Sequence, residues 1–171
     1  WSILGDCLMI RTTFKKQERS SFTLCLYFVL MSFTLAVQYY SSFSVLEYTG
    51  QYDSLILSAN ILFALCLVLC ISVYLKDPGF IKKDKNLDFA ELLETFEASS
   101  LCPDCQVIRT PRCRHCNLCG HCVDRFDHHC PWVNNCIGRG NFKYFYSFVA
   151  CQSLYLILVT VISVICKFKT C

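Results

Sequence analysis

The sequence predicts an all-α polytopic membrane protein that carries one small, irregular, cysteine-rich domain between two of its spans. Two observations predict this architecture. First, 54% of the 171 residues are hydrophobic, and many of them fall into three long runs without a charged residue. Second, all four histidines and eight of the 15 cysteines lie between Cys102 and Cys136. This composition is typical of a membrane protein with one added polar domain.

The three uncharged runs cover residues 20–46, 54–75 and 144–166. Each is at least as long as the approximately 20 apolar residues that cross the hydrocarbon core of a bilayer. A signal peptide is the alternative for the first run, but that run is too long and no small-x-small cleavage site follows it. We therefore predict three spans, with these divisions: 1–19 (cytosolic N-terminal segment), 20–46 (span 1 region), 47–53 (lumenal or extracellular loop), 54–75 (span 2), 76–100 (cytosolic linker), 101–143 (cysteine-rich domain), 144–166 (span 3) and 167–171 (truncated end).

The basic residues predict the orientation of the spans. Lys and Arg occur before span 1 and after span 2, whereas residues 40–53 contain neither. Because basic residues are enriched on the cytosolic side of a membrane, both flanks and the cysteine-rich domain are predicted to face the cytosol. We expect a multi-pass protein of the endomembrane system or the plasma membrane.

The linker after span 2 contains a helix terminator and one further helix. Asp77-Pro78-Gly79 should end the span, since proline disfavours helix in the preceding residue and glycine frees the next turn. Residues 86–98 place apolar side chains on one side and acidic ones elsewhere, which predicts an amphipathic helix. We expect that helix to pack against the cysteine-rich domain or the membrane surface.

The donors of the cysteine-rich stretch predict zinc. Cys-x2-Cys steps begin at Cys102, Cys116 and Cys119, and thiolates with imidazoles are the usual ligands of tetrahedral zinc. Disulfides are the alternative, but a disulfide scaffold needs no clustered histidines, and the cytosol is reducing. Two tetrahedral sites need eight ligands, so some of the donors are left over. Since adjacent side chains rarely converge on one ion, His115 and Cys116 should serve different metals.

Three neighbouring groups have the equipment for nucleophilic catalysis. Asp127, His128 and Cys130 lie close together without a complete metal spacing of their own. An imidazole can take the thiol proton while a carboxylate orients the imidazole and stabilises its charged form. A thiol with the ordinary pKa of about 8.5 is mostly protonated at neutral pH, so it needs such a partner.

The same stretch resembles the cysteine-rich domain of the DHHC protein S-acyltransferases, or palmitoyltransferases. The likeness begins with the tetrapeptide Asp127-His128-His129-Cys130 and extends to a longer pattern around it. That pattern consists of Cys102, Cys105, His115, Cys116, Cys119, Cys122, Pro131, Trp132, Asn135, Cys136, Gly138, Asn141 and Phe145. An Asp-Pro-Gly directly after the second span is a feature of the same family.

The resemblance implies two interleaved Cys3His zinc sites. One would take Cys102, Cys105, His115 and Cys122, and the other would take Cys116, Cys119, His129 and Cys136. Both sites would be filled by four protein ligands, so the two zinc ions would be structural rather than catalytic.

The resemblance also implies the reaction. Cys130 would attack the thioester of a fatty acyl-CoA such as palmitoyl-CoA, with His128 as the base and Asp127 orienting it. The acyl group would then pass to a cysteine thiol of a membrane-associated protein, in a ping-pong scheme. The family usually has four spans, so we expect this chain to be a piece of a longer protein. Nucleic acid is not an expected partner, because the Cys and His spacing misses that of a C2H2 finger.

Two alternative functions are open, and six further residues of the cysteine-rich stretch have a less specific interpretation. A catalytically silent membrane adaptor with a structural zinc domain is the main alternative, and a zinc-dependent hydrolase is a weaker one. Cys113 and His121 complete no zinc set and are expected at exposed positions of the zinc knuckles. Four arginines either balance the negative zinc–thiolate sites or meet the phosphates of coenzyme A. They are Arg109, Arg112, Arg114 and Arg125.

Overall fold

The computed structural model describes residues 22–49, 53–84 and 88–169. The predicted segment 1–19 therefore lies outside the described residues. The helices within them are α1 Phe22–Thr49, α2 Asp53–Leu75, α3 Phe89–Thr95 and α4 Phe142–Lys169. The strands are β1 Leu101–Cys102, β2 Val107–Ile108, β3 Arg114–Cys116, β4 His121–Val123, β5 His128–Cys130 and β6 Asn135–Ile137.

Three of these helices are long and apolar enough to cross a membrane, by length and composition. The qualifying segments are Phe22–Tyr40, Ser54–Leu75 and Phe142–Ile165. They confirm the predicted membrane architecture of three helical spans. Among the described residues the chain forms two compact units. A helical unit contains Phe22–Ser72 and α4 from Tyr144, and a cysteine-rich unit contains Val73–Lys143.

Polar side chains join the helices of the helical unit. The Tyr27 hydroxyl donates to Gln152 Oε1 over 3.0 Å, which links α1 to α4. Gln38 Nε2 donates to Asn60 Oδ1 over 3.0 Å, which links α1 to α2, and Gln38 Oε1 accepts from the Tyr155 hydroxyl over 3.4 Å. Because an unsatisfied polar group in hydrocarbon costs several kcal/mol, these bonds favour one arrangement of the three helices.

The cysteine-rich unit is built from three antiparallel hairpins with the same register. Each consists of two short strands, paired as β1–β2, β3–β4 and β5–β6. The innermost pairs of the three hairpins are Cys102 with Val107, Cys116 with His121, and Cys130 with Asn135. A residue with positive φ stands in the turn of each hairpin, namely Gln106 (53°), Gly120 (67°) and Asn134 (47°). The unit is therefore a threefold repetition of one knuckle.

The apolar core of this unit is small. The buried aliphatic side chains of its hairpins are Leu101, Val107, Val123, Val133 and Ile137, each exposed by 4% or less. Buried cysteines complete the same core clusters. A domain of this size buries too little apolar surface to be stable by itself and usually needs metals or disulfides. Its folding should therefore depend on what the cysteines bind.

The Asp77-Pro78-Gly79 turn is built into the cysteine-rich unit. α2 ends at Leu75, as predicted, and Asp77 Oδ1 accepts hydrogen bonds from the backbone N–H groups of Gly79 (2.8 Å) and Phe80 (2.9 Å). Gly79 has a φ of +102°, which L side chains rarely adopt. Its carbonyl accepts from the Asp124 N–H over 2.8 Å, so the turn is more than a helix terminator.

The predicted amphipathic helix at 86–98 is shorter than expected. α3 spans Phe89–Thr95, with Asp88 as its N-cap, and a 3-10 turn follows at Ala98–Ser100. Acidic side chains at the C-terminal end oppose the helix dipole and favour early termination. Leu92 is buried, whereas Leu93 is 53% exposed, so only a small part of the predicted apolar face packs against the described chain.

Candidate zinc and acyl-transfer site

The first group of donors joins two neighbouring hairpins. Cys102 and Cys105 come from the turn of the β1–β2 hairpin, while His115 and Cys122 are paired across β3 and β4. Nδ1 of His115 lies 3.2 Å from Sγ of Cys105, 3.6 Å from Sγ of Cys102 and 4.0 Å from Sγ of Cys122. The four donor atoms therefore converge on one point.

The second group repeats this arrangement one hairpin further along the chain. Cys116 and Cys119 come from the turn of the β3–β4 hairpin, while His129 and Cys136 are paired across β5 and β6. Nδ1 of His129 lies 3.4 Å from Sγ of Cys119, 3.6 Å from Sγ of Cys136 and 3.8 Å from Sγ of Cys116. The structure thus brings together the same two sets of four residues that the family resemblance implied.

Both groups have the dimensions of a tetrahedral zinc site. Zinc binds thiolate sulfur at about 2.3 Å and imidazole nitrogen at about 2.1 Å, so a tetrahedral ion separates its sulfur and nitrogen ligands by about 3.6 Å. The six Nδ1–Sγ distances run from 3.2 to 4.0 Å around that value. The donors of each group lie within 4.8 Å of one another. The residues present therefore fit zinc, and each group provides a complete set of four ligands.

Burial and crowding make thiols of both groups difficult to ionise. Burial raises the pKa of Cys122 well above its ordinary value, and the neighbouring Cys102 sulfur raises it further. In the second group a hydrogen bond with Cys119, followed by burial, raises the pKa of Cys136. Several thiolates cannot converge in a buried space without a positive charge between them, and zinc supplies that charge while releasing the thiol protons.

Arg109 lies against the first group. A hydrogen bond with the Cys102 sulfur raises the pKa of the Arg109 guanidinium, against the opposing effect of burial. Burial alone would raise the pKa of Cys102, but hydrogen bonds, including one from Arg109, lower it below its ordinary value. This favours the charge-balancing interpretation for Arg109. The other predicted arginines, Arg112, Arg114 and Arg125, have exposed side chains and are sterically able to meet a phosphate.

Strand β5 separates the metal ligands from the proposed catalytic pair. Side chains alternate between the two faces of a strand, so His128 and Cys130 share one face while His129 takes the other. His129 accordingly lies among the sulfurs of the second group. Cys130 belongs to neither group of four donors.

The Asp127 and His128 side chains are partly exposed, whereas the Cys130 side chain is buried. Asp127 Oδ2 is 3.5 Å from Nδ1 of His128, and both side chains are 43% exposed. Cys130 is only 5% exposed. The contact through Nδ1 directs the Nε2 edge of the imidazole away from the carboxylate, as a base positioned by a carboxylate requires.

Val133 explains why the turn of the third hairpin contributes no residue to either group of four donors. Cys130 and Val133 occupy the turn positions that Cys102 and Cys105 occupy in the first hairpin, and Cys116 and Cys119 in the second. Val133 is fully buried and offers no ligand atom. Cys130 therefore occupies the first cysteine position of a knuckle, and Val133 occupies the second.

The predicted positions of Cys113 and His121 were wrong. Cys113 is only 8% exposed and packs in the core cluster with Cys102 and Cys122, because the turn before β3 points its thiol inward. His121 is half-buried, with Nδ1 2.5 Å from the Cys119 carbonyl oxygen and its ring against Phe80. Neither residue stands on an exposed part of a knuckle.

Part of this chain is similar in sequence to known proteins. A family model described as DHHC palmitoyltransferase matches residues 95–171. Residues 95–171 are thus similar to the DHHC palmitoyltransferase family. The chain is 41% identical over 99 residues to palmitoyltransferase ZDHHC5-B of Danio rerio, covering 51% of this chain and 15% of the relative. It is 47% identical over 85 residues to palmitoyltransferase ZDHHC5 of Homo sapiens, covering 43% of this chain and 12% of the relative.

A third DHHC relative, palmitoyltransferase ZDHHC8B of Danio rerio, is 43% identical over 93 residues, covering 47% of this chain and 12% of the relative. The chain thus spans a small part, 12–15%, of the length of these curated relatives. The likeness covers the cysteine-rich region and the third span, and it is a likeness to proteins named palmitoyltransferases.

Proposed function

We propose that this protein is a protein S-acyltransferase that moves a fatty acyl group, such as palmitoyl, from acyl-CoA to cysteine thiols of membrane-associated proteins. The observation that carries the proposal is the placement of Cys130 and His128 on β5. Cys130 lies outside both four-donor groups and shares a strand face with His128, whose Nδ1 faces Asp127. A thiol, an imidazole and a carboxylate in this order form the machinery of thiol-based acyl transfer.

The reaction proceeds in two balanced steps. In the first, His128 takes the Cys130 proton and the thiolate attacks the thioester carbon of acyl-CoA. The bond to coenzyme A breaks, its sulfur leaves with the proton from His128, and Cys130 carries the acyl group. In the second, an acceptor thiol gives its proton to His128 and attacks the Cys130 thioester, and the proton returns to Cys130. Asp127 stabilises the imidazolium in both steps.

Zinc has a structural role in this proposal. The two sites would be held by Cys102, Cys105, His115 and Cys122, and by Cys116, Cys119, His129 and Cys136. When bound, the ions cross-link successive hairpins and supply folding energy that the small core lacks. Each set of four ligands is complete, so the acyl group reacts at Cys130 alone.

The membrane topology follows the distribution of basic residues. We place the cysteine-rich domain on the cytosolic side of the endomembrane system or plasma membrane, where acyl-CoA is available. Lys76, Lys82 and Lys83 follow α2, in keeping with that orientation. A sixteen-carbon chain gains about 0.8 kcal/mol per buried methylene, so its tail belongs in the hydrocarbon layer and its thioester at the aqueous boundary.

Labelling with radioactive palmitoyl-CoA tests the proposal. The purified protein should incorporate label that neutral hydroxylamine releases, and Cys130→Ser should incorporate none while it retains two zinc ions. Cys25→Ser is the matched control, because Cys25 is an exposed thiol in α1. Label that persists in Cys130→Ser would overturn the assignment of the nucleophile. A zinc-loaded wild-type protein that takes up no label would favour the adaptor alternative.

A further inference from the structure

Asn135 holds the hairpin of Cys130 against the C-terminal end of the second span. Its side chain is only 2% exposed. Its Nδ2 donates to the carbonyl oxygens of Val73 over 2.8 Å and Lys76 over 2.9 Å, with the Tyr74 oxygen at 3.5 Å. All three acceptors are carbonyls, so the amide nitrogen must face them.

These carbonyls belong to the end of a helix. α2 ends at Leu75, and the last four carbonyl groups of a helix lack partners within it. One amide group therefore satisfies acceptors of the last turn and of the residue after it. The donor comes from a strand that lies about 60 residues further along the chain, since the bond to Val73 joins residues 62 positions apart.

The same residue stands directly opposite the proposed nucleophile. Asn135 on β6 is the register partner of Cys130 on β5. The corresponding positions in the other two hairpins are Val107 and His121. His121 packs on Phe80, and Val107 lies in a core cluster. The bond from this register position to the end of α2 thus belongs to the hairpin that carries Cys130.

We propose that Asn135 is a positioning residue that sets the place of the Cys130 thiol relative to the end of the second span. The inference rests on the proposed acyl transfer. A long acyl chain partitions into hydrocarbon, which holds its thioester at one depth in the bilayer. A thiol that attacks this thioester must be held at the same depth. A four-carbon donor approaches from water and imposes no such requirement.

The proposal predicts different losses for long and short donors. Misplacement of a reacting group by about 1 Å can cost about 100-fold in rate. Asn135→Asp keeps the size of the side chain but replaces the donor amide by an oxygen that repels the carbonyls. It should lower the single-turnover rate of Cys130 acylation by palmitoyl-CoA by about 10- to 100-fold, with KM near the wild-type value. The rate with butyryl-CoA should change by less than about 3-fold.

The experiment measures both rates on the membrane-reconstituted protein, together with zinc content. Asn141→Asp is the matched control. Asn141 is also buried, and its Nδ2 donates to a carbonyl, that of Cys136 at 2.8 Å, rather than to α2. Asn141→Asp should change the rate of Cys130 acylation by the same factor with palmitoyl-CoA and with butyryl-CoA. Asn135→Gln, which retains a donor amide, should recover part of the palmitoyl rate.

Three results would overturn the proposal. Equal losses with both donors in Asn135→Asp, accompanied by zinc loss, would show that Asn135 only stabilises the fold. Unchanged rates with both donors would show that its bonds to α2 do not position the thiol. A wild-type protein that forms no acyl-enzyme with either donor would contradict the proposed function itself, a result distinct from the other two because it appears before any substitution at Asn135.

Discussion

His128 and His129 are consecutive residues of β5, yet their imidazoles have different partners. Nδ1 of His128 lies 3.5 Å from Oδ2 of Asp127, whereas Nδ1 of His129 lies 3.4 Å from Sγ of Cys119. The alternation of side chains along a strand produces this division. Two chemically identical residues should therefore have separable functions, one in proton transfer and one in metal binding.

Substitution of the two histidines should separate these functions. His128→Ala should retain two zinc ions and the wild-type melting temperature, but lose about 10²- to 10⁴-fold in the rate of Cys130 acylation, as expected for removal of a general base. His129→Ala should lose one zinc ion and melt at a lower temperature. Metal analysis, thermal unfolding and single-turnover labelling measure the three properties.

The two variants serve as controls for each other, since the change in side chain is identical. Zinc loss in His128→Ala would place this residue among the ligands and contradict the separation. A His129→Ala protein with two zinc ions would contradict the composition of the second group.

Removal of zinc should unfold the cysteine-rich unit and leave the helices of the other unit. The two donor groups lie within residues 102–136, and the apolar core of that unit is small. A strong chelator should therefore abolish acylation of Cys130 and expose the cysteines to thiol reagents, while far-ultraviolet circular dichroism retains most of its helical signal. Addition of zinc under reducing conditions should restore acylation. Full activity after complete removal of zinc would refute the structural role.

Gly140→Ala should destabilise the contact between the Asp77-Pro78-Gly79 turn and the segment before α4. A Cβ at Gly140 would collide with the carbonyl oxygen of Asp77 and would lie 3.1 Å from the Gly79 nitrogen. Both obstacles are backbone atoms, so the turn itself must move. We expect a loss of about 2 kcal/mol or more in the free energy of unfolding, measured by denaturant titration of the zinc-loaded protein.

Ser99→Ala is the control for that substitution, because the Ser99 hydroxyl makes an exposed hydrogen bond with Glu97. It should change stability by less than about 0.5 kcal/mol. Equal stability of Gly140→Ala and the wild-type protein would show that the Asp77 turn can shift without cost.

Asp124 should stabilise the unit in a pH-dependent manner. It accepts from the Thr110 hydroxyl over 2.8 Å and from Nη1 of Arg139 over 3.2 Å, and the Thr110 bond is the main cause that lowers its pKa below 3.8. A carboxyl whose folded-state pKa is depressed stabilises the fold fully above its ordinary value, and that stabilisation is lost as the pH falls through the lower folded value.

Asp124→Asn should therefore lower stability by about 1 kcal/mol at neutral pH, and the difference from the wild-type protein should shrink below about pH 4. Thermal unfolding at a series of pH values measures the difference. Zinc content is measured in the same samples, because acid also protonates the ligands. Asp104→Asn is the control at an exposed position. A difference that stays constant with pH would show that the charge of Asp124 contributes nothing.

Part of the site could be predicted from a repeat in the sequence. Cys102, Cys116 and Cys130 recur every 14 residues, as do the His115–His129 and Cys122–Cys136 pairs. A 14-residue spacing of this kind predicts three similar hairpins with the same register. It also shows Val133 at the place of a second knuckle cysteine, which is the local reason why Cys130 stays outside both groups.

The positions of Cys113 and His121 could not be predicted in the same way. Neither residue belongs to a group of four zinc ligands. The number of ligands that zinc requires does not indicate in which direction a turn points a side chain. Only the tertiary packing places the Cys113 thiol in the core and the His121 ring on Phe80.

The sequence by itself determined the three apolar helices, the types of donor for two metal sites and the DHHC tetrapeptide, because length, hydrophobicity and ligand chemistry are local properties. The tertiary structure decided which donors converge, which face of β5 each histidine takes, and that Asn135 bonds to the end of α2. Those relationships join residues as far apart as Val73 and Asn135. They depend on the register of strands and the closure of turns, which local patterns do not specify.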